Sequence, residues 1–119
     1  MSLIEQTLKN FSAAWAGRDL EAVVNLFATE GEYAASVGPD PGKTARGHDE
    51  IRALVKDMFA VDDGAVAENS IPIVFGEEAF WTWTYHMPDG SVQSGCDFLR
   101  MRNGKIILKD AYRKVTAVA

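Results

Sequence analysis

The sequence predicts a small α+β domain: helices first, then an antiparallel meander curled around an apolar pocket that contains carboxylates. Three observations predict it. Before Gly64, apolar residues recur at helical spacing, three and four apart. From Val66 onward, uninterrupted β-rich segments replace that pattern. Between those segments stand Pro88-Asp89-Gly90 and Asn103-Gly104, dipeptide and tripeptide signals of tight hairpins.

The elements follow in order. Ser2 and Glu5 are spaced as a capping box, and Ile4, Leu8, Phe11 and Trp15 then form one apolar stripe of a first helix. Gly17 stops it, and Asp19 caps a second helix carrying Leu20, Val23, Val24 and Phe27. Gly31 breaks that pattern, so Glu32 to Val37 reads as a strand. Gly38-Pro39-Asp40-Pro41-Gly42 cannot continue any regular element and is a loop or lid reaching to Arg46. A third helix starts at Gly47, with Asp49 and Glu50 in the turn where the helix dipole favours negative charge. Its buried face is Ile51, Leu54, Val55, Met58 and Phe59. The rest is sheet: Val66 to Phe75, with Pro72 marking an edge or bulge, then Ala79 to Met87, Ser91 to Arg102, and Lys105 to about Thr116.

Composition narrows the function classes. The 119 residues suffice for one domain, 1–119, with one core. A net charge of −5 disfavours nucleic acid and anionic membranes as partners, because both would be repelled. The single cysteine, Cys96, excludes an internal disulfide, and no Cys/His cluster with zinc spacing is present. The start lacks the basic and apolar regions of a signal peptide, and no apolar run is long enough to span a bilayer, so a cytoplasmic location is expected. No cofactor is expected: there is no phosphate-binding glycine loop, Ser-His-Asp signature or HExxH.

Turn chemistry sets the register and therefore the pocket face. Asn103-Gly104 reads as a two-residue type I′ turn, which pairs Arg102 with Lys105, Met101 with Ile106, Leu99 with Leu108, Asp97 with Asp110 and Gly95 with Tyr112. One face is then apolar except for two aspartates, and the other carries five cations. Pro88-Asp89-Gly90 reads as a three-residue loop pairing Met87 with Ser91. That brings Trp81 opposite Asp97, Trp83 opposite Gly95, and Tyr85 onto the same inner face. The glycine leaves room for the indole.

Asp97 and Asp110 are therefore the candidate catalytic pair. Carboxylates directly opposed in a ladder sit about 5 Å apart and titrate as a unit, one acid and one base. Asp110 has other readings: solvation at the rim, pairing with Arg46, or a hydrogen bond from Tyr33 or Tyr112. Trp15, Tyr33, Trp81, Trp83, Met101 and Tyr112 are the candidate ligand-binding residues, and Trp15 equally suits the core. His48 and His86 read as surface histidines, and Cys96 falls on the outer face without a basic partner.

"FSAAWAGRDLEAVVNLFA", "GEYAAS", "RGHDEIRALV" and "CDFLRMRNGKIILKDAYRK" together resemble the SnoaL-like branch of the nuclear-transport-factor-2-like proteins, over nearly the whole chain. The resemblance implies a cone, in which a bent antiparallel sheet wraps three helices around a pocket. It also implies a homodimer packed through the outer sheet face, here Phe80, Thr82, Phe98 and Ile107. The superfamily includes ketosteroid isomerase, polyketide cyclases, scytalone dehydratase and limonene epoxide hydrolase. Asp97 matches the oxyanion-hole aspartic acid of ketosteroid isomerase. Ala35, however, stands where that enzyme has its base, and Trp15 where it has its oxyanion tyrosine. Gly95 replaces the arginine that limonene epoxide hydrolase needs. Neither activity carries over. The expectation is a small-molecule pocket protein: a cofactor-free acid/base enzyme on a small apolar carbonyl compound, alternatively a binding module for an apolar ligand, or a dimeric assembly domain.

Overall fold

A computed structural model describes residues 1–118 of the chain. The first helix, α1 (Leu3–Ala16), opens on the anticipated capping box: the Ser2 hydroxyl accepts from the Glu5 N–H at 3.1 Å, and the Glu5 carboxylate accepts from the Ser2 N–H at 3.2 Å. Its apolar stripe buries Leu8, Phe11 and Trp15. Asp19 caps α2 (Leu20–Asn25), accepting from the Ala22 N–H at 3.2 Å.

Phe27 was expected in that helix. It instead opens β1 (Phe27–Ala34), because a short helix has little cooperative stability of its own and Phe27 buries fully opposite Ile106. The predicted lid also gains structure. Its end forms β2 (Thr44–Arg46), a hairpin partner of β1. Next come α3 (Gly47–Val61), with Ile51, Leu54, Val55 and Met58 buried, and then β3 (Val66–Asn69) and β4 (Ile73–Phe75). These last two divide what the sequence suggested was one strand. Pro72 lies in the break, where a residue without N–H cannot extend the ladder. The remaining strands are β5 (Glu78–His86), β6 (Val92–Arg102) and β7 (Lys105–Arg113).

Among the described residues these strands form one open, seven-stranded sheet in the order β2-β1-β7-β6-β5-β3, with β4 also paired to β5. The meander β5-β6-β7 is antiparallel as predicted, and β1 joins it parallel to β7, so the sheet is mixed. The helices cover one face, where Leu8, Phe11, Val23, Ile51 and Val55 meet Ala79, Trp81, Leu99, Met101 and Ile106.

Both hairpin turns fall where the sequence put them. The Met87 N–H donates to the Ser91 carbonyl at 2.9 Å, and Trp81 faces Asp97 as Trp83 faces Gly95. A Cβ on Gly95 would lie 2.3 Å from the Trp83 ring and 2.2 Å from the Tyr112 carbonyl oxygen, so the indole does occupy the space that glycine leaves. At the other turn, Asn103 (φ 52°) and Gly104 (φ 76°) both adopt the left-handed conformation of a type I′ turn. Arg102 pairs with Lys105 and Met101 with Ile106.

There the predicted register ends. Arg100 pairs with Leu108, which leaves Ile107 as the extra residue of a β-bulge. Beyond it every partner shifts by one: Leu99 faces Lys109, Phe98 faces Asp110, Asp97 faces Ala111 and Gly95 faces Arg113. Since strand side chains alternate, residues 108–113 turn the opposite way from the expectation. Asp110 and Tyr112 face outward; Lys109 and Arg113 face the helices. β1 is irregular at the same level, between Phe27 and Glu32, and its Gly31 allows the close approach: a Cβ there would sit 2.8 Å from the Ile106 carbonyl oxygen.

Candidate ligand pocket

Inside the curl of the sheet, the mouths of α1 and α3 leave a pocket lined by Phe11, Trp15, Tyr33, Trp81, Trp83, Asp97 and Lys109, with Ser36, Met58, Tyr85 and Arg113 among its further walls. Asp97 is only 2% exposed. Both of its oxygens are engaged. The Trp81 indole N–H donates to Oδ2 at 2.7 Å, the Trp83 indole N–H donates to Oδ1 at 3.1 Å, and Lys109 Nζ lies 3.2 Å from Oδ2. This geometry comes straight from the β5–β6 register, which sets both indoles and the carboxylate on one face.

Lys109 is the centre of the pocket. It is 5% exposed, donates to the Tyr33 hydroxyl oxygen at 3.1 Å, and stands over the rings of Tyr33, Phe11 and Trp15 at 4.4, 5.4 and 5.9 Å. Burial is the largest single influence and works against its charge, but the Asp97 carboxylate together with Tyr33 and Tyr85 outweighs it and holds the ammonium above the ordinary lysine value. Burial likewise pushes the Tyr33 and Tyr85 hydroxyls up, so both stay protonated at neutral pH. The Trp15 indole N–H is buried and makes no hydrogen bond of good geometry, although the Tyr85 hydroxyl lies close to it. Around these donors the aromatic walls are tightly packed: Phe11 stacks on Trp15 at 5.6 Å, Phe27 on Tyr33 at 5.9 Å, and Trp83 leans on Tyr85 at 5.4 Å. The Arg113 guanidinium lies 5.1 Å from the centre of the Trp83 ring and also bonds to Gln93.

Of the residues singled out from sequence, Trp15, Tyr33, Trp81, Trp83 and Asp97 line this pocket. Met101 is buried in the adjacent core, at 1% exposure, without lining it. Asp110 and Tyr112 are elsewhere. The Ile107 bulge puts them on the outer face, where the Tyr112 hydroxyl donates to Asp110 Oδ2 at 2.9 Å, one of the alternatives the sequence left open. The aspartate dyad is therefore not formed, and the buried partner of Asp97 is a cation. His86 is exposed beside Glu68 as expected, at 3.6 Å. His48 is half-buried, its Nε2 2.8 Å from the Phe27 carbonyl oxygen, so it has a structural partner. Lys109 and Arg113 were missed because the register treated them as outer-face cations. The available signal was that five cations on one face left a buried aspartate with no counter-charge.

The SnoaL-like domain profile matches residues 8–108, and the chain belongs to that family. Solved structures agree on the fold. An NTF2-like protein of unknown function from Mesorhizobium loti is similar at a TM-score of 0.81 and 23% identity, covering 95% of this chain and 92% of that one. A hypothetical protein with a ketosteroid isomerase-like fold from Catenulispora acidiphila, in complex with trimethylamine, gives 0.76 and 22%, covering 90% and 84%. TerC, co-crystallised with polyporic acid, gives 0.82 and 18%, covering 95% and 92%. No curated protein matches the chain. Among the described residues no helix is long and apolar enough to cross a membrane.

Proposed function

We propose that residues 1–119 act as one pocket domain that binds a compact apolar molecule through a carbonyl or hydroxyl oxygen. The observation that supports this is an imbalance of hydrogen-bonding groups. Two indoles and an ammonium already occupy three of the roughly four acceptor positions of Asp97. The donors have capacity in excess: Lys109 has a third N–H beyond those on Asp97 and Tyr33, and Trp15 Nε1 makes no hydrogen bond of good geometry, having only the nearby Tyr85 hydroxyl. A buried donor without a partner is costly, and an oxygen acceptor relieves it. The aromatic walls supply the apolar contact. Two of the known neighbours were crystallised with small molecules, trimethylamine and polyporic acid, which is consistent with this use of the fold.

Within this reading, Asp97 orients and neutralises Lys109 and does not abstract protons. No other carboxylate lines the pocket among the described residues, so acid/base catalysis by a side-chain carboxylate has no base. Polarisation of a bound carbonyl by Lys109 and Tyr33 is the chemistry left to the site. Tryptophan fluorescence tests the binding, since all three tryptophans of the chain line the pocket. Cyclohexanone should quench saturably and bind about tenfold tighter than methylcyclohexane, the worth of one hydrogen bond to a charged group. Equal affinity of the two would overturn the reading. Deuterium uptake α to the bound carbonyl, followed by NMR in heavy water, separates an enzyme from a binding module: uptake no faster than in buffer favours the module.

We also propose a homodimer through the outer sheet face around Phe80, Thr82, Phe98 and Ile107. Phe80, Phe98 and Ile107 point away from the helices and are only half-buried within one chain.

A further inference from the structure

The pocket as it stands is narrow. The space inside it is about 30 Å³, enough for one or two waters and no more. A ligand must therefore move part of the wall, and most of the wall is tethered. Trp81, Trp83 and Lys109 are bonded to Asp97, and Tyr33 to Lys109. Phe11 and Trp15 are held by stacking on each other, and Met58 is the flexible side chain of the wall. It has no polar atom to tether, its thioether chain is unbranched and flexible, and it is 7% exposed.

Behind Met58 lies a second space. A cleft of about 230 Å³ runs between α3 and the loop that follows β1, and Met58 lines both this cleft and the inner pocket. Its helical wall is the stripe Leu54, Asp57, Met58 and Val61, spaced three, four and seven apart on one face of α3. At 1.5 Å per residue that stripe is about 10 Å long, the span of a linear chain of roughly eight carbons. Val37 and Gly38 form the facing wall. Val61 is 80% exposed, an apolar side chain with nothing covering it. The ionic groups of the cleft are Lys43, Asp57 and Asp62, two acids to one base, so the balance disfavours an anionic occupant.

From this continuity we infer that the cleft is the second half of the ligand site, with Met58 as the movable partition, and that the ligand is a neutral, linear carbonyl compound. Its oxygen-bearing head occupies the inner pocket and its hydrocarbon chain lies along Leu54 and Val61. The inference rests on the proposed binding of an oxygen-bearing head.

A homologous series of methyl ketones, from 2-pentanone to 2-undecanone, titrated against tryptophan fluorescence tests it. Affinity should rise about fourfold for each added methylene, the usual value of burying one from water, until the cleft is filled. Val61→Asp changes an exposed position and leaves the fold intact. It should weaken 2-undecanone about tenfold and leave 2-pentanone unchanged. Decanoate should bind more weakly than 2-undecanone. Affinity independent of chain length, an equal loss for both ketones in Val61→Asp, or tighter binding of decanoate would each overturn the cleft. Those results would leave the inner pocket standing if 2-pentanone binds. If no ketone of any length binds, the reading of the inner pocket fails with it.

Discussion

Lys109 joins three roles that are usually separate: counter-ion to Asp97, hydrogen-bond donor to Tyr33, and cation over three aromatic rings. Removing it alone leaves a carboxylate at 2% exposure without its charge partner. Lys109→Met should therefore cost about 3–5 kcal/mol in urea unfolding, as broken buried pairs do. The double variant Asp97→Asn, Lys109→Met should recover at least half of that. The pair also has a pH signature. Its lysine is held above the ordinary value of 10.5, so its stabilisation is complete below that value and is lost as pH rises through the higher folded one. Relative to the double variant, the parent's extra stability should stay flat at neutral pH and fall only above pH 10.5. Asp110 makes the contrast. Among the described residues its side chain bonds to Tyr112 alone, on the outer face, so Asp110→Asn should shift stability by less than about 0.5 kcal/mol and leave cyclohexanone affinity unchanged.

At the scale of the elements, the ladder β5–β6 carries the site. Gly95 has no room for a side chain, since Trp83 fills the space above it. Gly95→Ala should destabilise by about 1–3 kcal/mol, as overpacking does, and the displaced indole should lose its bond to Asp97. A change in the near-ultraviolet circular dichroism of tryptophan would report that. The β5–β6 pairing was legible because Pro88-Asp89-Gly90 demands one loop geometry and Gly95 fits one partner. The type I′ turn at Asn103-Gly104 was legible for the same reason. The bulge at Ile107 was not. Its cause is non-local: β1 packs in parallel against β7, is itself irregular around Gly31, and the Leu26 carbonyl accepts from the Ile106 N–H at 2.9 Å. Alternation within β7 carries no trace of a partner some eighty residues earlier in the chain. Phe27 and the strand at Thr44 were misread likewise, because pairing between β1, β2 and β7 outweighed local propensity.

Over the whole molecule the helices cover one sheet face and leave the other to solvent in a single chain. That face carries Phe80 and Phe98 with Arg100 set 5.6 Å over the Phe98 ring. If two copies pack there, Phe98→Asp should shift sedimentation velocity to the monomer while far-ultraviolet circular dichroism stays unchanged. A parent that sediments as a monomer at high concentration would remove the dimer. The α+β arrangement was readable from the order of elements, since apolar helix stripes and a meander with one apolar face have few ways to bury both, whereas the cone was what the SnoaL-like resemblance implied.

The unpaired residue at Ile107 works as a parity bit for the interior. Every residue beyond it in β7 is assigned to inside or outside by whether the count from the turn is odd or even. One residue inserted between Ile107 and Leu108 would exchange Lys109 for Asp110 on the inner face, turning an acid–base ion pair into two facing acids with no amino acid replaced. In this fold a length change at one bulge can thus alter the charge of the pocket as much as two substitutions inside it. Relatives of equal composition can differ in chemistry for that reason alone.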